Sequence, residues 1–153
     1  MAAAKDVAAF LTFLAHNGVE EDLLTHLRLQ KLLYYVQGWS LALRGAPMFT
    51  DRVEAWAHGP VVPTIYQTLR DSGSKPFRID AEPNDFNMSD EERAFVSEVW
   101  EEYKLFAALK LRDMTHSESP WIDARKGHSP GERCNVEITP EAMRTHFSKL
   151  AVA

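Results

Sequence analysis

The stretch from residue 26 to residue 45 carries apolar side chains around too much of its circumference for a helix at a protein surface. Residues that recur three and four positions apart are Leu29, Leu32, Leu33, Val36, Trp39 and Leu43. This spacing predicts a long helix, which Gly45 and Pro47 would end. Because its apolar surface is wider than a single stripe, we expect the helix to be buried on more than one side.

Residues 54–66, with the sequence EAWAHGPVVPTIY, concentrate residue types that force a backbone to change direction. The alternation in EAWA predicts a short strand. Gly59 and Pro60 predict a sharp turn after it, and Pro63 suits the first turn of a following helix. We therefore expect strand, turn and helix in that order, with Trp56 packed into the fold.

Helices are predicted on both sides of this region. An N-terminal helix is expected to end near Asn17, because it carries apolar residues at helical spacing: Val7, Phe10, Leu11 and Leu14. Ser89 and Glu92 match a capping box, which predicts the start of another helix. The apolar stripe of that helix is expected to be buried and consists of Phe95, Val99, Trp100, Tyr103 and Phe106.

The C-terminal third predicts two shorter helices, opened by Ser119-Pro120 and Thr139-Pro140, with a loop at 126–135 between them. A second short strand is expected at 75–80. The elements together predict a mainly α fold, a single compact domain of about five or six helices with a small two-stranded β element. We expect this domain to span residues 1–153.

Composition excludes several classes of protein. The formal net charge is −5, from 17 basic and 22 acidic residues, and this sign opposes nonspecific binding to nucleic acid. Cys134 is the sole cysteine, so an internal disulfide and a cysteine-based zinc site are excluded, and a reducing cytoplasm is expected. The apolar N-terminal stretch is too short to span a membrane and is expected to be a core helix, in preference to a signal peptide.

Three segments carry a resemblance to a known family. They are LRLQKLLYYVQGWSLALRGAPMF at 27–49, EAWAHGPVVPTIY at 54–66 and THSESPW at 115–121. In this order and spacing they resemble the Panacea domain, the SocA-like and GepA-like group of bacterial and phage proteins. The closing ITPEAMRTHF resembles the last helix of that family, so the resemblance extends over about residues 5–149. At His58 an aromatic or another polar residue is also usual in the family.

The resemblance implies a mostly helical fold and an antitoxin role, in which the domain neutralises a small toxin encoded beside it. For the SocA type it also implies an adaptor that delivers the toxin to the ClpXP protease. It does not imply an enzyme, a metal or another cofactor.

Side chains for contact with such a partner are predicted among the aromatic residues and histidines of these segments. The candidate partner-binding residues are Tyr35, Trp39, His58, Tyr66, His116 and Trp121. Tyr34 and Tyr35 are adjacent, so they point about 100° apart on a helix, and we expect one of them to be half exposed. Exposed tyrosine and tryptophan are typical anchors of protein interfaces.

Other uses of these residues remain open. His116 with Glu118 nearby could perform acid–base catalysis, and a small hydrolase that uses His58 or His116 is one such alternative. Cys134 with a histidine could form a nucleophile and base, but no local signature supports it. The start of the helix after Gly59 could bind phosphate, although two prolines there remove N–H donors. The histidines are too scattered to predict a metal site.

The alternative from a different class is a DNA-binding regulator of its own operon. The first two helices would then imitate a helix-turn-helix, with His26, Arg28, Gln30 and Lys31 entering a groove of DNA. The acidic link between the helices and the small number of basic residues argue against this alternative.

Overall fold

The computed structural model of the chain describes residues 1–17, 24–70 and 86–152. The helices in these ranges are α1 (Ala4–His16), α2 (His26–Trp39), α3 (Pro63–Leu69), α4 (Asp90–Tyr103), α5 (Ala108–His116), α6 (Ser119–Ala124) and α7 (Pro140–Ala151). The strands are β1 (Val53–Trp56), β2 (Gly59–Val61) and β3 (Glu137–Ile138). The predicted fold class is confirmed, because the protein is mainly helical with a small antiparallel sheet.

Helix α2 is the centre of the fold. Twelve of its fourteen residues are buried, and it packs against α1, α4, α5 and α7. Thr25 caps its start by accepting a hydrogen bond from the N–H of Arg28 at 3.3 Å. A π-helical turn, Ser40–Arg44, continues the helix to Gly45, which has a left-handed φ of 71°. The predicted burial on more than one side is confirmed.

The sheet differs in one respect from the predicted strand, turn and helix. β1 pairs with β2 through a two-residue turn at Ala57 and His58, in the register Trp56 with Gly59 and Glu54 with Val61. The residues predicted to turn therefore form a strand themselves. Pro60 is tolerated because β2 is an edge strand, in the order β2-β1-β3.

The third strand comes from the C-terminal part of the chain. β3 pairs with β1 on the side opposite to β2, with Val53 facing Ile138. The sheet therefore has three strands where two were expected. The predicted strand at 75–80 lies outside the described residues.

The predicted helix starts at Ser89 and at Thr139 are confirmed. The hydroxyl of Ser89 accepts from the N–H of Glu92 at 3.0 Å, and the Glu92 carboxylate accepts from the N–H of Ser89 at 2.8 Å. Thr139 accepts from the N–H of Ala142 at 3.1 Å. Helix α6 begins after Glu118, which makes no side-chain capping bond, and Pro120 lies in its first turn.

The loop predicted at 126–135 is held to the sheet by one buried cation. Arg125 donates to the carbonyl of Ala55 on β1 at 2.9 Å and to the carbonyls of Ser129 and Glu132 at 2.8 and 2.6 Å. Hydrogen bonds to a charged group are stronger than neutral ones, so this side chain fixes the loop against β1.

Within the described residues, no helix has the length and apolar character needed to cross a membrane.

Candidate partner-binding site

Polar side chains on the buried face of α2 hold the β1–β2 hairpin in place. The amide of Gln30 accepts from the N–H of Val62 at 2.7 Å and donates to its carbonyl at 3.3 Å, as a neighbouring strand would. The Nζ of Lys31 donates to the carbonyl of Pro60 at 3.0 Å. Because these backbone groups are buried, unpaired ones would be costly. The Gly-Pro segment is therefore a joint fastened to α2, and the N–H of Val62 is already occupied.

Lys31 is fully buried in this joint. Burial, together with the nearby positive charge of Arg112, lowers its pKa to about 7. A Cβ added at Gly59 would lie 2.6 Å from the Cε of Lys31, and Gly59 has a φ of 113°. Glycine is therefore required at this position on both steric and conformational grounds.

Two tyrosines and one glutamate form a hydrogen-bonded cluster beside α2. The hydroxyls of Tyr34 and Tyr35 each donate to one carboxylate oxygen of Glu118 at 2.9 Å. Burial raises the pKa of Glu118, although the two hydrogen bonds oppose this shift. Burial also raises the pKa of both tyrosines, and the Glu118 charge adds to it. Glu118 is thus committed to the two hydroxyls.

The expectation that Tyr34 or Tyr35 is half exposed was wrong. Both side chains are 0% exposed, because α7 covers the face that periodicity on α2 left open. The ring of Phe147 on α7 lies 5.5 and 5.9 Å from the two tyrosine rings, and Tyr103 stacks on Tyr35 at 4.3 Å. Tyr35 therefore cannot touch a partner from this position.

A groove of about 670 Å³ lies between the end of α2 and the part of α4 from Phe95 to Tyr103. Its apolar and aromatic lining consists of Trp39, Leu43, Phe95, Val99, Tyr103, Phe106 and Met114. Leu43 is 60% exposed there. Concave apolar surfaces of this size are typical of binding sites, so we take this groove as the candidate partner-binding site.

The rim of the groove is acidic. Glu98, Glu101 and Glu102 line it from α4, a helix that carries six acidic residues and one arginine. Glu101 pairs with Lys104 at 2.5 Å, whereas Glu98 and Glu102 form no ion pair with any residue in the described ranges. Three of the six acidic residues of α4 therefore lie on one wall of the groove.

The positions of these three glutamates do not stabilise helix α4. Glu101 and Glu102 occupy the last turn of α4, next to the negative end of the helix dipole, where an acidic residue costs roughly 0.3–1 kcal/mol. Glu98 and Glu102 are four residues apart, a spacing at which like charges destabilise a helix. Helix stability does not account for them, which points to a role for the charge itself.

The candidate residue Trp39 is the one that the structure places in the groove. Its indole N–H donates to the hydroxyl of Tyr103 at 2.8 Å, and burial raises the pKa of Tyr103 to about 12. The expected buried stripe of α4 was partly wrong. Val99 and Trp100 are buried, but Phe95, Tyr103 and Phe106 are half-buried and line the groove.

Tyr66 belongs to a second aromatic cluster at the other end of α2. Its ring lies 4.8 Å from Trp56 and 5.2 Å from His26, and Tyr66 is 36% exposed. His26 and Trp39 are the two ends of α2, thirteen residues apart, which corresponds to about 20 Å. The groove and this cluster are therefore separate surfaces. Trp56 is half-buried and packed against Tyr66, as its predicted role in the fold requires.

The remaining candidate residues lie near the hairpin. His58 is exposed in the turn between β1 and β2. His116 stacks on Trp121 at 4.0 Å, and the Trp121 indole donates to the carbonyl of Trp56 at 2.8 Å. Burial lowers the pKa of His116, and nearby Arg112 adds to this effect. Trp121 is buried, so it fastens α6 to the sheet instead of facing a partner.

In this arrangement the residues proposed for DNA binding and for acid–base catalysis are buried or already engaged. A helix-turn-helix would present four residues of α2 to DNA, and all four are buried here: His26, Arg28, Gln30 and Lys31. For acid–base catalysis, Glu118 is occupied by two tyrosines and His116 by an aromatic stack. Within the described residues, no cluster of three or more ligating side chains that could hold a metal ion is present.

The groove itself is absent from the sequence-based prediction. It forms between residues near position 40 and residues near position 100, and periodicity within one helix cannot show which two helix ends meet. One signal was present in the sequence. Glu101 and Glu102 occupy the last turn of α4, where acidic residues do not stabilise a helix, although the same helix begins with an ordinary capping box.

The fold and the groove define a helical protein that carries a surface suited to a protein partner. A family model described as "Antitoxin SocA-like, Panacea domain" matches residues 29–122. This match covers more than half of the chain, and the protein belongs to that family. It includes α2 from Leu29 onward, both strands of the hairpin and all of α4, so the residues that line the groove lie inside the matched region.

The chain is also similar to Antitoxin SocA of Caulobacter vibrioides. The two are 35% identical over 71 residues, which is 46% of this chain and 38% of that protein. The aligned segment thus spans less than half the length of the relative. No solved structure matches the chain.

Proposed function

We propose that this protein is an antitoxin that binds a small cognate toxin and neutralises it by covering the toxin's working surface. The observation that carries this proposal is an apolar groove with an acidic rim in a domain of the SocA-like family. The partner is expected to be a small protein encoded beside it, in the cytoplasm. The mechanism needs surface complementarity and no chemical step.

The groove supports this role through its composition. Aromatic side chains provide a large contact area at low entropic cost, and Trp39, Tyr103 and Phe106 supply three of them. Their positions are held before binding, since Trp39 is hydrogen-bonded to Tyr103 and Tyr103 is stacked on Tyr35. A preorganised surface loses less conformational entropy when a partner docks.

A noncatalytic mechanism is supported by the way the best catalytic candidates are used. Glu118 accepts two tyrosine hydroxyls, and the ring of His116 lies flat on Trp121. Both side chains serve packing and hydrogen bonding within the fold. His58, the other histidine considered for catalysis, is exposed in the turn between β1 and β2.

Delivery of the toxin to the ClpXP protease is the second part of the proposal. An adaptor needs two surfaces that do not overlap, one for its cargo and one for the protease. The groove and the His26–Tyr66–Trp56 cluster lie about 20 Å apart along α2, which meets that requirement. We assign the toxin to the groove, and the protease to the cluster with His58 beside it.

The experiment is neutralisation of the toxin in cells. The product of the adjacent gene is induced with and without this protein, in hosts with active and inactive ClpP, and growth is followed. Rescue in both hosts supports masking, and rescue only with active ClpP supports delivery. If growth arrest persists in both hosts while the protein is present and folded, the antitoxin proposal fails.

Matched variants separate the two surfaces. Tyr66→Ala alters the cluster and leaves the groove intact, so it is expected to abolish rescue that depends on ClpP and to leave complex formation unchanged. Leu43→Ser alters the groove and is expected to weaken the complex itself. If Tyr66→Ala rescues growth as well as the wild type in a ClpP-dependent host, the protease surface lies elsewhere.

A further inference from the structure

We infer that the groove binds a basic amphipathic helix of its partner, with apolar anchors on the groove floor and lysine or arginine side chains against Glu98 and Glu102. This inference rests on the proposed function, because it specifies the chemistry of the toxin segment that docks. It commits to one kind of occupant, a positively charged helical segment of another protein.

The charge of the partner follows from the rim. Glu98 and Glu102 form no ion pair within the described residues, and Glu101 pairs with Lys104, which is half-buried. Two cations next to the groove, Arg44 and Arg28, are already engaged. Arg44 lies over Phe95 and 3.9 Å from Glu91, and Arg28 donates to the carbonyl of Phe106 from a buried position. A basic partner would supply the missing counter-charges, whereas an acidic one would add repulsion.

The elements that line the groove favour a helical partner segment over an extended one. The groove is lined by side chains of α2, α4, α5 and the segments that directly follow α2 and α4, and no residue of β1, β2 or β3 lines it. Addition of a strand requires an open sheet edge, whereas an amphipathic helix needs a groove between helices.

The length of the groove suits a short helix. Phe95 and Tyr103 are eight residues apart on α4, so the wall between them extends about 12 Å. Anchors at positions i, i+3 or i+4 and i+7 of a partner helix cover a similar length. About two turns of helix would therefore fill the site, with basic residues of the same segment at the level of the two glutamates.

The test uses two synthetic helical peptides of 14 residues with the same leucine face. One carries lysine on the opposite face and the other carries glutamate. Fluorescence anisotropy measures binding of each to the wild-type protein, to the double variant Glu98→Gln/Glu102→Gln and to the control Asp123→Asn/Glu141→Gln. The control removes the same charge from exposed positions outside the groove, and the melting temperature of each variant is recorded.

The basic peptide is expected to bind the wild type on the order of tenfold more tightly than the acidic peptide at about 0.1 M salt. This preference should shrink in the rim variant and persist in the control. Leu43→Ser should weaken the binding of both peptides, which would place the site in the groove. Equal binding of the two peptides, or an equal loss of preference in the control variant, would overturn the inference.

A complex with the toxin is measured separately, with the same protein variants. If the toxin binds but the rim variant binds it as tightly as the wild type does, the inference fails and the antitoxin role stands. If no toxin binds while the groove still prefers the basic peptide, the proposed function fails and the chemistry of the groove stands. The two conclusions are therefore tested independently.

Discussion

The indole nitrogen of Trp39 lies 2.8 Å from the hydroxyl oxygen of Tyr103 and donates a hydrogen bond to it. This bond joins the end of α2 to the end of α4 across the groove. Tyr103 in turn stacks on Tyr35, which is bound to Glu118. The floor of the groove is thus continuous with the buried core, so partner binding and stability can be separated only at the exposed lining residues.

Leu43 is the lining residue best suited to that separation. Leu43→Ser is expected to change the free energy of unfolding by no more than about 0.5 kcal/mol, because the side chain is 60% exposed. It should weaken the toxin complex, since an apolar contact with the partner is lost. Leu150→Ser is the matched control, because Leu150 is 44% exposed and outside the groove. Equal affinity of both variants, measured by calorimetric titration, would contradict the assignment.

Tyr35→Ala is expected to destabilise the protein strongly, by about 3–5 kcal/mol, because it removes a fully buried aromatic side chain. The sequence alone suggested the opposite, an exposed anchor whose loss would spare stability. Tyr66→Ala should cost only about 1 kcal/mol, since Tyr66 is partly exposed and contacts Trp56 and His26. Urea unfolding of both variants tests the contrast, which would be wrong if Tyr35→Ala were as stable as Tyr66→Ala.

Gly38→Ala is expected to destabilise the protein although alanine favours helices. A Cβ at Gly38 would overlap the ring of Phe147 where α2 and α7 pack closely. Overpacking of this kind typically costs about 1–3 kcal/mol, which exceeds the gain in helix propensity. Gly131→Ala is the control, because nothing lies within 4 Å of its added Cβ. Thermal unfolding should show a lower melting temperature for Gly38→Ala alone.

Lys31 is expected to make stability depend on pH between about 7 and 10. Its pKa is about 7 in the folded protein and near 10.5 in the unfolded chain, so in this window the unfolded state binds the extra proton. The free energy of unfolding should therefore rise as the pH rises from about 7. Above pH 10 the raised pKa values of Tyr34 and Tyr35 act in the opposite direction, because the unfolded chain then loses protons that the folded protein keeps.

Lys31→Met serves as the control for that dependence. It removes the titrating amine, so the rise in the free energy of unfolding between pH 7.5 and 9.5 should be much smaller than in the wild type, whatever its absolute stability. Urea unfolding at several pH values provides the comparison. An identical rise in the variant would assign the dependence to another group.

Local features were accessible from the sequence because their causes are local. The Ser89–Glu92 capping box and the proline starts of α3 and α7 depend on residues within four positions of one another. The width of the apolar surface of α2 also predicted that this helix lies at the centre of the fold, since burial on several sides requires neighbours on several sides.

Long-range features were not accessible, and Tyr35 shows why. Its burial depends on Phe147 and Glu118, residues about 110 and 80 positions away, and periodicity within α2 carries no information about them. The groove depends in the same way on the meeting of residues near 40 and near 100. The strand at Gly59–Val61 was missed because proline argues against a strand in general, whereas an edge strand accepts it.

The central claim, that a toxin docks on the groove, is tested most directly by hydrogen exchange. The purified protein is mixed with the product of the adjacent gene, and exchange of its backbone amides is compared with that of the free protein. The account predicts a stable complex with slower exchange in segments 39–44 and 95–106. No complex, or protection confined to segments away from the groove such as 56–66, would contradict it.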